Sequence, residues 1–320
     1  MGDRLTWRRA TLALLPVAAA ALVTLAVSVA DDGRSQSAPA PPAAIASHPP
    51  LFFDEATFLK AVRAAESAPQ PEGPVYGGII PHHWLPGHLI TGFFRGLAAA
   101  DPVRTVVLIG PNHVNAGSAR ALTSDLPWAT PFGVVEPDRE VISALTDSGL
   151  VAVESPVLTT EHSVAGIMPV VKYYLPEAQV VPIILSGEMT PAEARRLGGL
   201  LASQWRRGTV FVASVDFSHY LARPWAERHD SLTLEAIRAF DAATLFTLND
   251  GYLDSPASIG VLMAAMTALG ADQFVLLDNT NSGALEDDEL APTTSYIVGY
   301  YRPGGSGDQA RADSSPPGRP

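Results

Sequence analysis

The stretch Val210–Tyr220, VFVASVDFSHY, decides the predicted fold. Its first six residues are almost wholly apolar, which is typical of a buried strand, and Asp216 and His219 follow directly. The same arrangement occurs twice upstream, where YGGIIPHH leads to His82 and RTVVLIGPNH leads to His113. We therefore expect several strands of one sheet to end in residues that can do chemistry.

Helices alternate with these strands along the chain. The predicted strands cover residues 75–81, 104–110, 179–185, 209–215, 273–277 and 295–301, and the predicted helices cover residues 88–100, 138–148, 163–174, 191–206, 226–240 and 256–269. Continuous apolar strands separated by helices predict a single α/β domain, with a mostly parallel central sheet flanked by helices. In such sheets, binding sites lie beyond the carboxyl ends of the strands. If the strands are neighbours, their polar end residues meet in one cleft.

The two ends of the chain differ in composition from its middle. Residues 1–30 place arginines before about twenty uncharged residues and then small residues, which predicts a signal peptide or an uncleaved membrane anchor over residues 11–30. The protein is therefore expected to be exported to the periplasm or another extracytoplasmic compartment, and to meet a membrane only through this segment. Residues 31–70 are predicted to be a Pro/Ala-rich linker and lead-in, residues 71–303 the folded domain, and residues 304–320 a disordered tail.

The composition excludes several classes of function. The chain contains no cysteine, so it can form neither disulfides nor thiolate metal sites. Its formal net charge of −12 and the absence of a basic run beyond the N-terminus argue against nucleic acid as a partner. The sequence also lacks G-x-G-x-x-G, Walker-type, H-E-x-x-H and G-x-S-x-G motifs, which argues against nucleotide enzymes, zincin proteases and α/β-hydrolases.

The histidines at strand ends are the candidate metal ligands. Neutral imidazole binds zinc, copper, iron and nickel, and carboxylates often complete such sites. His82 and His113 lead this prediction. Asp216 either orients His219 or caps the next segment, and His219 is a candidate general acid or base. His162 is expected to line the same cleft.

In the order and spacing of its motifs, the chain resembles the Memo family, whose bacterial form is named AmmeMemoRadiSam system protein B. The resemblance runs from about Val75 to Tyr301, and the matching segments are IIPHHW, VVLIGPNHVNAG, PWATPFGVVEPDREV, EHSVAGIMP, VASVDFSHY, SIGVLMAAMTAL and TTSYIVGYY. Because Memo proteins are similar to class III extradiol dioxygenases, the resemblance implies a dioxygenase-like α/β fold with a histidine-rich cleft.

The resemblance also implies a ligand set. His82, His113 and His219 occupy positions of metal-site or active-site histidines, with Asp216 and His162 beside them as candidate catalytic residues. The implied cofactor is a metal ion, Fe(II) or Cu, with Zn as an alternative. A third protein ligand would fall near residues 281–286, where Asn281, Glu286, the adjacent Asp287 or a water could serve.

Two functions remain open from the sequence. One is a non-haem metal-dependent oxidoreductase, with a radical-enzyme system as a partner implied by the family's bacterial name. The other is a non-catalytic protein that uses the same cleft to bind a metal, a small molecule or a peptide. Departures from the family pattern, such as His83-Trp84-Leu85 in place of A-G-Y, bear on catalysis more than on fold.

Overall fold

The structure is a computed structural model that describes residues 47–304. The predicted signal peptide or anchor, residues 31–46 of the predicted linker and lead-in, and all but the first residue of the predicted tail lie outside the described residues. Within residues 47–304, no helix combines the length and the apolar character needed to cross a membrane.

Strands and helices alternate along the described chain. The strands are β1 (Gly77–Ile80), β2 (Thr105–Pro111), β3 (Ala121–Thr123), β4 (Trp128–Thr130), β5 (Gly133–Val135), β6 (Ala152–Val153), β7 (Gln179–Leu185), β8 (Thr209–Ser214), β9 (Phe217–Leu221), β10 (Gln273–Asn281) and β11 (Thr293–Arg302). The helices are α1 (Glu55–Ala64), α2 (Gly87–Ala99), α3 (Arg139–Asp147), α4 (Ser155–Thr160), α5 (His162–Ala165), α6 (Met168–Tyr174), α7 (Pro191–Ser203), α8 (Arg223–Arg238), α9 (Ala242–Leu245), α10 (Pro256–Leu269) and α11 (Ser282–Glu286).

One nine-stranded sheet forms the centre of the fold. Its order is β10-β11-β1-β8-β2-β7-β3-β6, and β9 pairs with β11 outside this path. The four central strands, β1, β8, β2 and β7, are parallel to one another, whereas β11 and β3 run antiparallel to β1 and β7. The predicted fold class, an α/β domain with a mostly parallel central sheet flanked by helices, is confirmed.

The sheet is buried on both faces, which explains why its strands are continuously apolar. Successive residues of a strand point to opposite faces, so Val107 and Ile109 of β2 pack in one core while Val106 and Leu108 pack in the other. The first core includes residues from α3, α7, α8 and α10, and the second includes residues from α1, α2 and α6.

Helices α7 and α10 approach each other very closely on the first face. A Cβ atom added to Gly198 of α7 would lie 2.6 Å from the Ala264 Cβ and 2.6 Å from the Val261 carbonyl oxygen of α10. Only glycine fits here without a shift in backbone. Helix α10 begins as predicted, with Ser255 accepting the Ser258 backbone N–H and Pro256 in its first turn.

Two local features differ from the sequence predictions. The predicted helix over residues 163–174 is two short helices, α5 and α6, because Pro169 lies in the first turn of α6 and lacks the N–H needed to continue a helix. Helix α1 lies in the predicted lead-in, and its Phe58 is buried in the second core. His48, which the sequence places in the linker, is buried as well. The folded part therefore begins well before residue 71.

Candidate metal centre

Three central strands bring the candidate ligands together. His82, His113 and Asp216 each lie two residues beyond the last residue of β1, β2 and β8, and β8 lies between the other two strands in the sheet. The ring centroids of His82 and His113 are 5.1 Å apart, with the rings at 89° to each other. The parallel arrangement thus places the imidazoles at one edge of the sheet.

Hydrogen bonds fix which nitrogen of each imidazole is available. His82 Nδ1 lies 3.2 Å from the Ser214 carbonyl oxygen, and His113 Nδ1 lies 2.8 Å from Oε1 of Glu161. A carbonyl oxygen and a carboxylate only accept, so each Nδ1 carries the proton and donates it. The Nε2 lone pairs of the neutral rings are then left for a ligand, as in many protein metal sites.

Both Nε2 atoms lie near one carboxylate oxygen. Oδ2 of Asp254 is 3.3 Å from Nε2 of His82 and 3.7 Å from Nε2 of His113. Ligand atoms that share one ion at about 2.1 Å lie roughly 3.0–3.4 Å from each other. The distance to His82 is that of two ligands of one ion, and the distance to His113 is a few tenths of an ångström longer.

Asp254 itself is held by the backbone of Asp216. Its N–H donates to the Asp216 carbonyl oxygen at 3.1 Å, and its Oδ2 accepts the Asp216 N–H at 3.3 Å. Oδ1 of Asp254 is buried and has no hydrogen-bond partner within residues 47–304. An unpaired buried carboxylate oxygen is costly, and a cation in the site would relieve that cost. The donor set and this orphaned atom both fit a metal ion.

No sequence pattern singles out Asp254. The residue lies two positions before the predicted helix over residues 256–269. Because acids next to helix starts are common, the one sequence signal for Asp254 is a helix that begins at the same edge of the sheet as the histidines.

His162, predicted to line the cleft, lies in the same cluster. Its ring stacks on His113 at a centroid distance of 4.3 Å and an angle of 20°, and it lies 5.1 Å from the His82 ring. Two groups of donors have all their ligand atoms within 4.8 Å of one another, His82 with His113 and His162, and His82 with Asp216 and Asp254. His82 is common to both.

Charges in the cluster compensate each other. Burial lowers the pKa of His82 to about 4, although the Asp254 charge opposes this effect. Burial also acts to lower the pKa of His113, but hydrogen bonds and charges from Asp254 and Glu161 outweigh it and raise that pKa to about 10. The pKa of Glu161 falls to about 2, because bonds from His113 and the Ser163 N–H outweigh burial. The acids therefore favour a positive charge at this point, which a metal ion can supply in place of a proton.

The geometry does not support His219 as a metal ligand. The chain turns after Asp216 into β9, which pairs with β11, and His219 Nδ1 lies 3.2 Å from the Asp250 carbonyl oxygen. His219 is in neither donor group and instead lines the cleft beside His113. Asp216 does not hydrogen-bond to His219 as predicted, since its Oδ1 accepts the His82 N–H at 3.1 Å.

The predicted third ligands near residue 281 also lie outside both donor groups. The Asn281 side chain is occupied as the N-cap of α11, where it accepts the Ala284 N–H. Glu286 ends that helix, and Asp287 follows it in a left-handed conformation. Asp254, whose Oδ2 lies within 4 Å of both Nε2 atoms, is the alternative candidate for this position.

Comparison with known proteins gives the same family. Residues 54–301 match the family described as Memo-like protein. The chain belongs to this family. A MEMO1 family protein of Pyrobaculum aerophilum is 31% identical to it over 246 residues, which cover 73% of this chain and 86% of that relative. A second, of Methanopyrus kandleri, is 32% identical over 234 residues, covering 70% of this chain and 81% of the relative.

Membership of the Memo-like family agrees with the resemblance found in the motifs. The crystal structure of an uncharacterised protein from Escherichia coli K12 aligns with 70% of this chain and all of that chain at 12% identity, with a TM-score of 0.47, too low to support an argument. For this Memo-like chain, the family and the histidine cluster are thus established features.

Proposed function

We propose that this chain binds a divalent transition-metal ion through Nε2 of His82, Nε2 of His113 and the carboxylate of Asp254, and acts as a non-haem metal-dependent oxidoreductase. The observation that carries the proposal is the approach of both Nε2 atoms to one carboxylate oxygen, at 3.3 and 3.7 Å. Two imidazoles and one carboxylate are the ligand set of non-haem Fe(II) oxygenases, so Fe(II) is the proposed ion, with Cu and Zn as competitors.

A bound Fe(II) would supply redox chemistry at coordination positions that the protein leaves open. The chain's own residues would prepare those positions. Glu161 holds the His113 ring through its Nδ1 proton, and the Ser214 carbonyl does the same for His82. His162, at 4.3 Å from the His113 ring, would close one side of the site.

His219 is proposed as the residue that moves a proton. Its Nδ1 faces the Asp250 carbonyl oxygen at 3.2 Å, so in the neutral ring the proton sits on Nδ1 and the Nε2 lone pair is free to accept one. The residue lines the cleft that also reaches His113 and Asp254. A substrate group in this cleft could therefore exchange a proton with His219 while another group approaches the metal ligands.

Metal titration tests the site. Anaerobic titration with Fe(II), and separate titrations with Cu and Zn, should give one tightly bound ion per chain in the unaltered protein. The double variant His82→Ala/His113→Ala should lose this stoichiometric binding, and Asp254→Asn should weaken it by at least about 100-fold. Asp287→Asn is the matched control, because it removes an acid of the predicted third-ligand segment that lies outside both donor groups.

The outcomes separate the competing ligand sets. If Asp254→Asn binds metal like the unaltered protein and Asp287→Asn does not, the ligand set proposed here is wrong. If both single variants bind normally and the double histidine variant also does, the metal site lies elsewhere.

Turnover is tested separately from binding. Oxygen consumption by the iron-loaded protein, measured across a panel of small organic substrates, should depend on His219, and His219→Gln should lower the rate while leaving metal binding intact. A flat oxygen trace with every substrate would favour the second candidate, a metal- or ligand-binding protein without redox turnover.

Export is proposed from the sequence of residues 1–30 alone. Expression of the full chain followed by N-terminal sequencing of the mature protein tests it. A signal peptide gives a mature protein that begins shortly after Ala30 and is found outside the cytoplasm, and an anchor gives an intact chain in the membrane fraction. An intact chain free in the cytoplasm would contradict export.

A further inference from the structure

A large cleft opens from the candidate metal centre. It has a volume of about 770 Å³, within the range of small-molecule sites, and His113 and Asp254 form part of its wall. Its other walls come from the start of α7, from β9, from α9 and from the loop before α10. A ligand in this cleft would reach the metal ligands at one end and α7 at another.

One residue of the cleft has a charge without a partner. Arg195 of α7 is the only lysine or arginine among the lining residues, its side chain is exposed, and within residues 47–304 it forms no salt bridge or side-chain hydrogen bond. Arg120, by contrast, lies 3.4 Å from a carboxylate oxygen of Glu193. A guanidinium group presents a planar fork of donors that matches a carboxylate, so Arg195 is equipped to bind an anionic group.

The cleft lining also includes apolar residues, among them Leu185, Met189, Phe246 and Leu253. Tyr220 also lines the cleft, is 80% exposed, and has a φ of 63°, a conformation that bulky residues seldom adopt. An aromatic ring held exposed by a strained backbone is typical of a residue kept for binding rather than for packing.

We propose that this cleft binds a small organic carboxylate with an apolar body, whose carboxylate group pairs with Arg195 and whose other end reaches the His113 and Asp254 edge. This proposal names the ligand class of the same site, and it rests on the proposed function for the metal at the His113 and Asp254 edge. Asp250 is the one acid among the lining residues besides Asp254. Its negative charge should weaken the binding of an anionic ligand and strengthen that of a cationic one.

Matched pairs of probes test the charge requirement. Benzoate, 4-hydroxybenzoate and 3-phenylpropionate are each compared with the corresponding uncharged amide, and dissociation constants are measured by calorimetry or ligand-observed NMR. Each carboxylate should bind the unaltered protein at least about tenfold more tightly than its amide, which corresponds to one ion pair in a partly desolvated cleft. If each of the three carboxylates binds no more tightly than its own amide, the proposal is overturned.

Variants test which residue causes the preference for carboxylates over amides. Arg195→Gln should abolish the preference for carboxylates, while Arg196→Gln, on the same helix but outside the cleft lining, should retain it. Asp250→Asn should tighten carboxylate binding. An Arg195→Gln protein that keeps the preference, or an Asp250→Asn protein that loses carboxylate binding, would contradict the assignment.

The same measurements on EDTA-treated and metal-loaded protein keep the two proposals separate. If the EDTA-treated protein shows the carboxylate preference but binds no metal when it is titrated, the metal site is refuted and the role of Arg195 is supported. Stoichiometric metal binding without any carboxylate preference would refute the role of Arg195 and leave the metal site standing.

Discussion

Glu161 contacts His113 at two points. Its Oε1 lies 2.8 Å from Nδ1 of the His113 ring, and its Oε2 accepts the His113 backbone N–H at 3.0 Å. The same side chain caps α5 by accepting the Ser163 N–H. One carboxylate therefore fixes both the position of the residue and the nitrogen that its ring presents to the cleft.

Glu161→Gln should weaken metal binding by about 10- to 100-fold, the usual cost of removing a carboxylate behind a ligating histidine. Glutamine keeps an oxygen for the Ser163 N–H but loses the charge that favours the His113 proton on Nδ1. Competition titration with a chelating dye measures the change, and Glu188→Gln, whose side chain is 77% exposed, is the control. Equal affinities for the two variants would show that Glu161 does not act through His113.

Acid should destabilise the fold through His48. Its Nδ1 and Nε2 each lie 2.7 Å from a hydroxyl, of Thr159 and Ser124, and its ring stacks on Trp128. Burial lowers the pKa of His48 to about 4 from an ordinary value of 6.5, although the Asp125 charge opposes this. Since the folded pKa is the lower one, the stabilisation is complete above pH 6.5 and is lost as pH falls toward 4.

The expected loss of stability from His48 over that range is on the order of 2 kcal/mol. Urea unfolding of the unaltered protein and of His48→Gln at pH 7, 5.5 and 4.5 isolates this contribution, because the other titrating groups are common to both. The stability difference between them should shrink or reverse as the solution is acidified. A difference that does not vary with pH would exclude His48 as the sensitive group.

Asp230 should have the opposite pH dependence. Burial raises its pKa to about 6 from 3.8, although the hydrogen bond from Ser218 acts to lower it. Because the folded pKa is the higher one, the contribution of Asp230 to stability is full below pH 3.8 and is lost as pH rises through 6. Above that pH the protein holds a buried carboxylate whose Oδ2 lacks a partner within the described residues.

Asp230→Asn should therefore stabilise the protein at pH 8 by about 2 kcal/mol. The amide keeps an oxygen for the Ser218 hydroxyl, which lies 2.7 Å from Oδ1 of Asp230. The gain should disappear near pH 4, as measured by denaturant unfolding at both pH values. A variant that is less stable than the unaltered protein at pH 8 would contradict this account.

Neighbouring glycines of α7 should respond in opposite directions to the same change. Gly198→Ala places a Cβ at 2.6 Å from atoms of α10 and should cost about 1–3 kcal/mol of unfolding free energy. Gly199→Ala meets nothing within 4 Å and should gain about 0.5–1 kcal/mol from helix propensity. Thermal or urea unfolding compares the two, and a neutral Gly198→Ala would show that the helices can separate freely.

The sequence predicted the framework of this site because strong local patterns encode it. Apolar runs identified β2, β7 and β8 almost to the residue, and the short segments that follow β1 and β2 identified His82 and His113. Because neighbouring parallel strands end at the same edge of a sheet, residues just beyond those ends lie near one another. This prediction requires no knowledge of side-chain contacts.

The rest of the site depends on contacts between segments that are distant in sequence. Asp254 becomes part of the cluster only because its loop pairs with the backbone of Asp216. The family resemblance places His219 at the metal, but the direction of its side chain depends on the turn that leads from β8 into β9. Composition places His48 in the linker, and its burial depends on a pocket built from Ser124, Trp128 and Thr159.

The close approach of α7 and α10 at Gly198 also fixes a length. Arg195 belongs to α7 and Asp254 directly precedes the N-cap of α10, so the two ends of the cleft are attached to one rigid pair of helices. If the proposed ligand pairs with Arg195 and also reaches Asp254, both of its contacts lie on this pair of helices. Homologous acids of different chain length should then differ in affinity.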